Sequence, residues 1–557
     1  MSAAALSGLR AMSVKADDRS GLLRAPTLGW IRARLPWWVA TAIGFTALFV
    51  ELSLRFGRLR SDLQGDDMMY FLDGLDRLEE FRRGGFAEMV SGYLHHPPHA
   101  PWSSFLAATC FALFGPEQWA PFLGNALLIL VLIGFVDYLA SGQDRWPRRF
   151  CLGMACTVPF AAQGVMQFEP DFAAGLFTAI GLTILLLDDF AEPSRAARVV
   201  AGLACGLALF AKPSASPFTV AVGIGTLGLV ELCGLLARGA LPPVRQVAAG
   251  WGWFLGPMLA VAAPYYVVGW REVVEVVLMN TVGPHAEAWK MSGGEPFHWA
   301  YYLTGVGGRM MLRYHLYLFA GIGLASAGLA ARSRSRVAVL RHAAFAVVLA
   351  VTWGIPTRLG SFSPFRTQTF VVLLLFGAVL GFGEVAPRVA WRAAPVRWSV
   401  RVAAAGGILL AIVGLASRPS GVTPDLARIR LQRQIYRDVL HHVRPAAGAE
   451  PVRVFVTCNG DIAPELLTWL ARREGWSASF RAGEMSTDLD VFRREMDRAT
   501  FVLAVTTRGQ GKVHPWLRCA DVAEAALGIV QSRGEFREVA AFGPLGANEY
   551  HLFARSQ

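Results

Sequence analysis

Four stretches of this chain set residues able to move protons or steady charge beside long apolar runs. In "GDDMMY" (65–70), Asp66 and Asp67 follow the first apolar run by about ten residues, and Tyr70 stands one helical turn further on. In "QFEPDFAAGLF" (167–177), Glu169 and Asp171 interrupt two apolar runs with almost no loop between them. In "LALFAKPSASP" (207–217), Lys212 sits at an apolar boundary beside a proline. In "GYLHHPPHAPW" (92–102), three histidines and three prolines, with His96 among them, precede a short apolar segment. A positioned carboxylate can take the proton of an attacking hydroxyl, and a cation can stabilise an anion that develops as a group leaves.

Each stretch also has a plainer reading. Asp66, Asp67 and Asp171 suit helix starts, where free N–H groups and the dipole favour carboxylates. Lys212 can snorkel to an interface. The His-His-Pro-Pro-His spacing fits no zinc pattern, so no metal site is assigned. Asp66, Asp67, Glu169 and Asp171 together supply enough oxygens for a divalent cation, although a metal-independent role is preferred here. Carboxylates this close to hydrocarbon are costly and face a wet cavity or a partner, and that favours the chemical reading.

The elements that position these residues follow from hydropathy. Of 557 residues, 54% are hydrophobic and 17% charged, against roughly 25% charged in soluble proteins. Segments long enough to cross a bilayer are expected near 37–54, 119–140, 150–167, 171–188, 197–211, 213–237, 247–269, 311–330, 342–356, 366–384 and 400–417. The reading is a cytoplasmic segment at 1–36, a polytopic α-helical membrane domain at 37–417 and an extracytoplasmic α/β domain at 418–557. The first run is read as an uncleaved anchor, because no small-residue cleavage site follows it.

The net charge of +12 comes in short clusters between apolar runs, including Arg145, Arg148 and Arg149, "RSRSR" at 332–336, and Arg388, Arg392, Arg397 and Arg401. That is the pattern of cytoplasmic loops, not of a phosphate-tracking stripe, and it argues against nucleic acid as a partner. With eleven spans and the N-terminus inside, every strongly basic loop falls inside, provided that 101–115 is a non-spanning or re-entrant helix. Segments 55–118, 168–170, 212, 270–310 and 357–365 then fall outside, and these hold the candidate residues. Arg309, Arg313, Arg358 and Arg366 also lie near outer boundaries.

Within 65–80, Met68, Phe71, Leu72, Leu75 and Leu78 share one helical face, while Asp66, Tyr70, Asp73 and Arg77 share another. This predicts an amphipathic helix on the membrane surface. Segment 270–310, with Trp289, Trp299, Tyr301 and Tyr302, suits a flexible cover, its aromatics able to stack on sugars or to anchor at the interface. The tail reads as helices near 425–443, 462–473, 487–498 and 516–532, with strands at 452–457, 501–505, 536–542 and 549–555, hence a partly parallel sheet. "TRGQGK" (507–512) lacks the spacing of a phosphate-binding loop. Of seven cysteines only Cys458 and Cys519 lie in the tail, which leaves a disulfide between them open.

Taken in order, "GDDMMY", "HHPPHAPWSSFLAATCFALFG", "FEPDFAAGLFTAIGLTILLL" and "GLACGLALFAKPSASP" resemble motifs of the C-type glycosyltransferase (GT-C) fold. The resemblance is to the branch holding protein mannosyltransferases, the lipid A aminoarabinose transferase and rhizobial galacturonosyltransferases, and it covers residues 37–240. The chain departs from that pattern in having Asp-Asp for Asp-Glu and Pro213 after Lys212 where glycine is frequent.

The resemblance implies transfer of a sugar, with inversion, from a polyprenyl-phosphate carrier to a glycolipid, polysaccharide or protein acceptor on the outer face of a bacterial inner membrane. By motif position Asp66 would be the base. Asp67 and Asp171 are the other catalytic candidates. Tyr70, His96, Glu169, Lys212, Arg309 and Arg366 are candidates for substrate binding, Lys212 first among them for the leaving phosphate. A transporter or flippase is the competing class, yet it predicts charges at mid-membrane in two symmetric halves. Here they gather at one face. A non-catalytic scaffold leaves the four motifs unexplained.

Overall fold

The computed structural model describes residues 27–63, 65–190, 192–240, 243–281, 299–333, 335–358, 364–388, 398, 425–446, 452–458, 461–483, 486–507, 518–546 and 548–556. In the membrane part the helices are α1 (Leu28–Phe56), α2 (Asp66–His95), α3 (Pro101–Phe114), α4 (Ala120–Gly124), α5 (Ala126–Leu139), α6 (Arg145–Thr157), α7 (Pro159–Met166), α8 (Pro170–Leu187), α9 (Arg195–Ala211), α10 (Ser216–Arg238), α11 (Val244–Thr281), α12 (Trp299–Leu303), α13 (Val306–Met311), α14 (His315–Arg332), α15 (Arg336–Arg358) and α16 (Gln368–Val385).

Among the described residues, seven helical segments are long and apolar enough to cross a membrane. An eighth forms if α12–α13 and α14, bent by 116° to one another, count as one broken span. Of the other three expected segments, two take other forms and one is not among the described residues. The segment at 150–167 is split because Val158, held extended (ψ 128°) ahead of Pro159, separates α6 from α7. The segment at 197–211 is a 17-residue helix that starts among arginines. The segment at 400–417 lies outside the described residues. The short helix at 101–115 is α3, with 14 residues, too short to span.

Helix α8 is the hub: 17 of its 18 residues are buried, all but Asp171. Small residues allow its neighbours close. A Cβ on Gly175 would stand 2.7 Å from Cβ of Gln368, and one on Gly181 would stand 2.7 Å from Sγ of Cys205, so α16 and α9 pack directly against it. Such close contact replaces a hydrophobic driving force that lipid does not supply.

Polar networks occupy opposite ends of this bundle. At one end Asp137 accepts from Arg34 (3.3 Å), Trp38 (3.0 Å) and Arg148 (2.5 Å), joining the first helix to the basic segment after α5. At the same end of α8, Asp188 accepts from the backbone of Ser194 (2.9 Å). At the other end lie α2, the start of α8 and the end of α9.

Helix α2 does not lie free on a surface. Phe71 packs edge-on against Phe111, Phe122 and Phe168, but Asp67, Tyr70 and Arg77 from its polar side are buried too. The C-terminal part also packs on α2, through α18; it is built from α17 (Leu426–Val443), β1 (Val452–Val456), α18 (Pro464–Arg473), β2 (Ala478–Ala482), α19 (Leu489–Arg498), β3 (Phe501–Thr507), α20 (Ala523–Ser532), β4 (Phe536–Leu545) and β5 (Asn548–Arg555).

The sheet order is β2-β1-β3-β5-β4, parallel across β2-β1-β3 and antiparallel across β3-β5-β4. Strand β2 ("ASFRA") escapes sequence reading because it has five residues and a single large apolar side chain. Cys458 and Cys519 form a disulfide. This unit docks through Arg433 on Asp62 (2.9 Å), Arg472 on Asp76 (2.5 Å) and Arg473 on Glu117 (2.8 Å). Exposed pairs of this kind contribute about 0–1 kcal/mol each, so they set orientation more than strength.

Candidate active site

Gly65, with φ of +70°, turns the chain into α2 and leaves Asp66 and Asp67 as its first two residues. Successive helical residues point about 100° apart, and the two carboxylates meet different surroundings. Asp67 is fully buried, pairs with Arg58 from the short turn Arg58–Arg60, and accepts the Phe168 backbone N–H at 3.2 Å. Burial pushes its carboxyl up, against the pull of Arg58. Asp66 is exposed and makes no ion pair among the described residues.

The carboxylates of the second stretch arrive on irregular backbone. Buried Asn125 donates to the carbonyls of Gly164 (3.1 Å), Val165 (3.3 Å) and Gln167 (3.3 Å), which holds the end of α7 open before α8 begins. Glu169 and Asp171 therefore emerge beside Asp67. Burial first, then the charges of Asp171 and Asp67, raise the Glu169 carboxyl to about 8. It carries its proton at neutral pH.

Asp171 is paired instead, accepting from Lys212 Nζ at 2.5 Å. Lys212 caps the end of α9, and Tyr266 fixes the following turn by donating to the Pro213 carbonyl at 3.3 Å. Lys212 is thus anchored, a quarter exposed, and not free to reach for an interface. The Pro213 departure is accommodated within this turn.

Tyr70 closes the group. Burial and the carboxylates Asp66, Asp171, Glu169 and Asp67 push its phenol well above the ordinary value, so it remains a donor. Its ring stacks on His99, with centroids 6.4 Å apart and planes 9° from parallel. His99 lies within electrostatic reach of both Asp66 and Lys212, and burial holds its imidazole below the usual range, hence neutral. The His99 backbone N–H and Ser104 Oγ (3.3 Å) both donate to Asp73, whose carboxyl burial raises to about 6.

The arrangement differs from the sequence reading in which histidine it uses. His96 is an exposed cap of α2 near Glu272 on α11, away from the carboxylates. Three residues later, across two prolines, His99 is exposed too, but its ring lies against Tyr70 and within electrostatic reach of Asp66 and Lys212. Arg309 on α13 is exposed, and Arg366 lies on the turn Pro364–Thr367 that leads into α16. That turn packs near the start of α8, but among the described residues neither arginine pairs with a site carboxylate. Trp289 lies outside the described residues; Trp299 is exposed, while Tyr302 is buried and unavailable for stacking on a sugar.

Arg58 and Glu465 escaped sequence reading. Arg58 had only its place before the acidic pair as a signal. Glu465, in the first turn of α18, comes from the C-terminal unit to within electrostatic reach of Asp66; burial pushes its carboxyl up. Nothing local in the sequence marks it. Among the described residues there is no cluster of His, Cys, Asp or Glu arranged to hold a metal ion.

A carboxylate open to solvent, an anchored lysine, and an imidazole within electrostatic reach of both gather at one end of the helical bundle, where α18 of the C-terminal part packs on α2. The fold is that of the GT-C membrane glycosyltransferases. Among solved structures the chain is similar to ArnT from Cupriavidus metallidurans in the apo state, at TM-score 0.53 and 16% identity over 94% of this chain and 98% of that one. The same protein bound to undecaprenyl phosphate gives 0.49 at 15% identity over 94% and 98%. Arabinofuranosyltransferase AftD from Mycobacteria gives 0.48 at 13% over 93% and 41%. At these identities the likeness concerns the fold. No protein-family model and no curated protein matches the sequence.

Proposed function

We propose that this protein is a membrane glycosyltransferase that moves a sugar from a polyprenyl-phosphate carrier to a cell-envelope acceptor, inverting the anomeric centre. The observation that carries the reading is the convergence of the unpaired Asp66 carboxylate and the Asp171-held Lys212 on His99, which lies within electrostatic reach of both. An acceptor hydroxyl entering beneath the C-terminal unit would give its proton to Asp66 as its oxygen attacks the anomeric carbon. The bond from that carbon to the phosphate oxygen breaks, and Lys212 takes up the charge that grows there. Attack and departure on opposite faces give inversion. Asp67 positions rather than reacts: its bonds to Arg58 and Phe168 hold α2 against the segment carrying Glu169. The direct test compares lipid-linked sugars and envelope glycans by mass spectrometry with and without the gene. Loss should leave one polyprenyl-phosphate sugar accumulated and one envelope sugar missing; an unchanged profile of both contradicts the proposal.

Glu169 supplies a pH test. A protonated carboxyl beside the carrier phosphate is tolerated, whereas its ionised form repels that phosphate. Donor affinity should therefore hold below pH 7 and fall as pH rises through about 8. The same raised group stabilises the fold fully below the ordinary glutamate range and loses that contribution as pH rises through its folded value. Glu169→Gln should bind donor as well as the parent protein at pH 7 and show a flat profile to pH 9. A fall of the same size in that variant assigns the pH effect to another group.

The site face is assigned to the outside of a bacterial inner membrane. Support comes from the arginine-rich loops at the opposite end and from the Cys458–Cys519 bond, which suits an oxidising compartment. Alkylation of denatured protein from intact cells should label five thiols before reduction and seven after. Seven before reduction would argue for a cytoplasmic tail.

A further inference from the structure

A cavity of about 170 Å³ lies at the end of the bundle away from the carboxylates, between the start of α9, the end of α10 and the start of α11. Helix α9 runs from this cavity to Lys212 in 17 residues, so the two sites are about 25 Å apart. The lining holds Arg195, Arg198 and Arg238 against one carboxylate, Glu231. Glu231 accepts from Arg198 at 2.6 Å.

Arg198 is 3% exposed, and its Nε makes no hydrogen bond, the nearest carboxylate oxygen being that of Asp188 at 4.0 Å. A Cβ on Gly250 would stand 1.5 Å from Arg198 Nη1, so glycine is what lets this guanidinium lie flat against α11. Arg195 stacks on Trp253, its Cζ 3.4 Å from the ring centroid, and pairs with no carboxylate among the described residues. Stacking fixes the plane and leaves the N–H edge free to bind.

We infer that this cavity binds the phosphate of an anionic glycerophospholipid. The stacked Arg195, paired with no carboxylate among the described residues, and the unused Nε donor of buried Arg198 fit the tetrahedral oxygens of a phosphodiester. The apolar surroundings favour a lipid over a free anion. Leu232 and Leu236, on consecutive turns of α10 beside Glu231, are 50% and 39% exposed, and Val244 at the start of α11 is 83% exposed. Acyl chains can run along that surface while the headgroup enters among the arginines. Exposed arginines near a bilayer also attract anionic lipid without a site, and the test separates the two.

Full-length protein in nanodiscs is titrated with phosphatidylglycerol, phosphatidylcholine or inorganic phosphate, and retained ligand is read by native mass spectrometry. Arg195 is exposed, so Arg195→Gln should fold, with an unchanged unfolding temperature as its control. Arg245, exposed on the first turn of α11 and absent from the lining, supplies a second variant of equal charge loss, Arg245→Gln. The expected result is phosphatidylglycerol retained by the parent protein and by Arg245→Gln, weakened about tenfold or more in Arg195→Gln, with no retained phosphatidylcholine. Equal weakening in both variants, or none in Arg195→Gln, overturns the site. Arginine-dependent binding of inorganic phosphate without phosphatidylglycerol overturns the lipid assignment.

Discussion

Asp66→Asn is expected to fold and bind donor like the parent protein while sugar transfer falls by about 10²- to 10⁴-fold. The side chain is exposed and pairs with no cation among the described residues. Its replacement therefore leaves no buried charge behind, and the loss at the helix start amounts to at most about 1 kcal/mol. Asparagine keeps the shape and an oxygen but cannot accept the acceptor's proton.

Asp67→Asn provides the contrast. It strands Arg58, which is about a quarter exposed, and should cost stability by about 1–3 kcal/mol, with transfer falling mainly through loosened geometry. Thermal unfolding alongside single-turnover kinetics separates the two variants. Near-normal turnover by a folded Asp66→Asn protein would sink the assignment and move the proton acceptor to His99, the neutral imidazole beside it.

Lys212→Ala should weaken donor binding and slow transfer together, by about 10²-fold or more, because the contact proposed with the carrier phosphate would strengthen as that group leaves. The variant also frees Asp171, adding a negative charge beside Glu169 where the proposed function seats the phosphate. Lys212→Arg should recover only part of the loss, since the planar guanidinium cannot reproduce an ammonium held by Asp171 at 2.5 Å. Removing both partners, Lys212→Ala with Asp171→Asn, should bind donor better than Lys212→Ala alone. Titration with a polyprenyl-phosphate analogue measures this. Full function of Lys212→Arg with unchanged donor affinity would return the lysine to an interfacial anchor.

Both predictions begin from residues visible in the sequence, yet their forms depend on contacts that it did not disclose. Periodicity and composition are local properties. They sufficed for the apolar helices, for carboxylates and a lysine at their boundaries, and for most elements of the C-terminal sheet. Order along the chain carried the resemblance to the GT-C fold. Hydrophobic length did not disclose that a break at Val158–Pro159 divides one segment into two helices or that α9 begins among arginines, because continuity also depends on backbone geometry.

The division of labour between Asp66 and Asp67 was not legible. Adjacent carboxylates look equivalent until Arg58 and the Phe168 amide, the latter 101 residues away, claim one of them. The pairing of Lys212 with Asp171 spans 41 residues, and Glu465 reaches Asp66 from a separate unit. His96 and His99 differ by three positions, but the prolines between them remove helical periodicity as a guide to direction. Sequence alone therefore determined the elements and the chemical types they carry. Only tertiary packing decided which charges are neutralised and which stay open to react, because burial and pairing belong to contacts between distant parts of the chain.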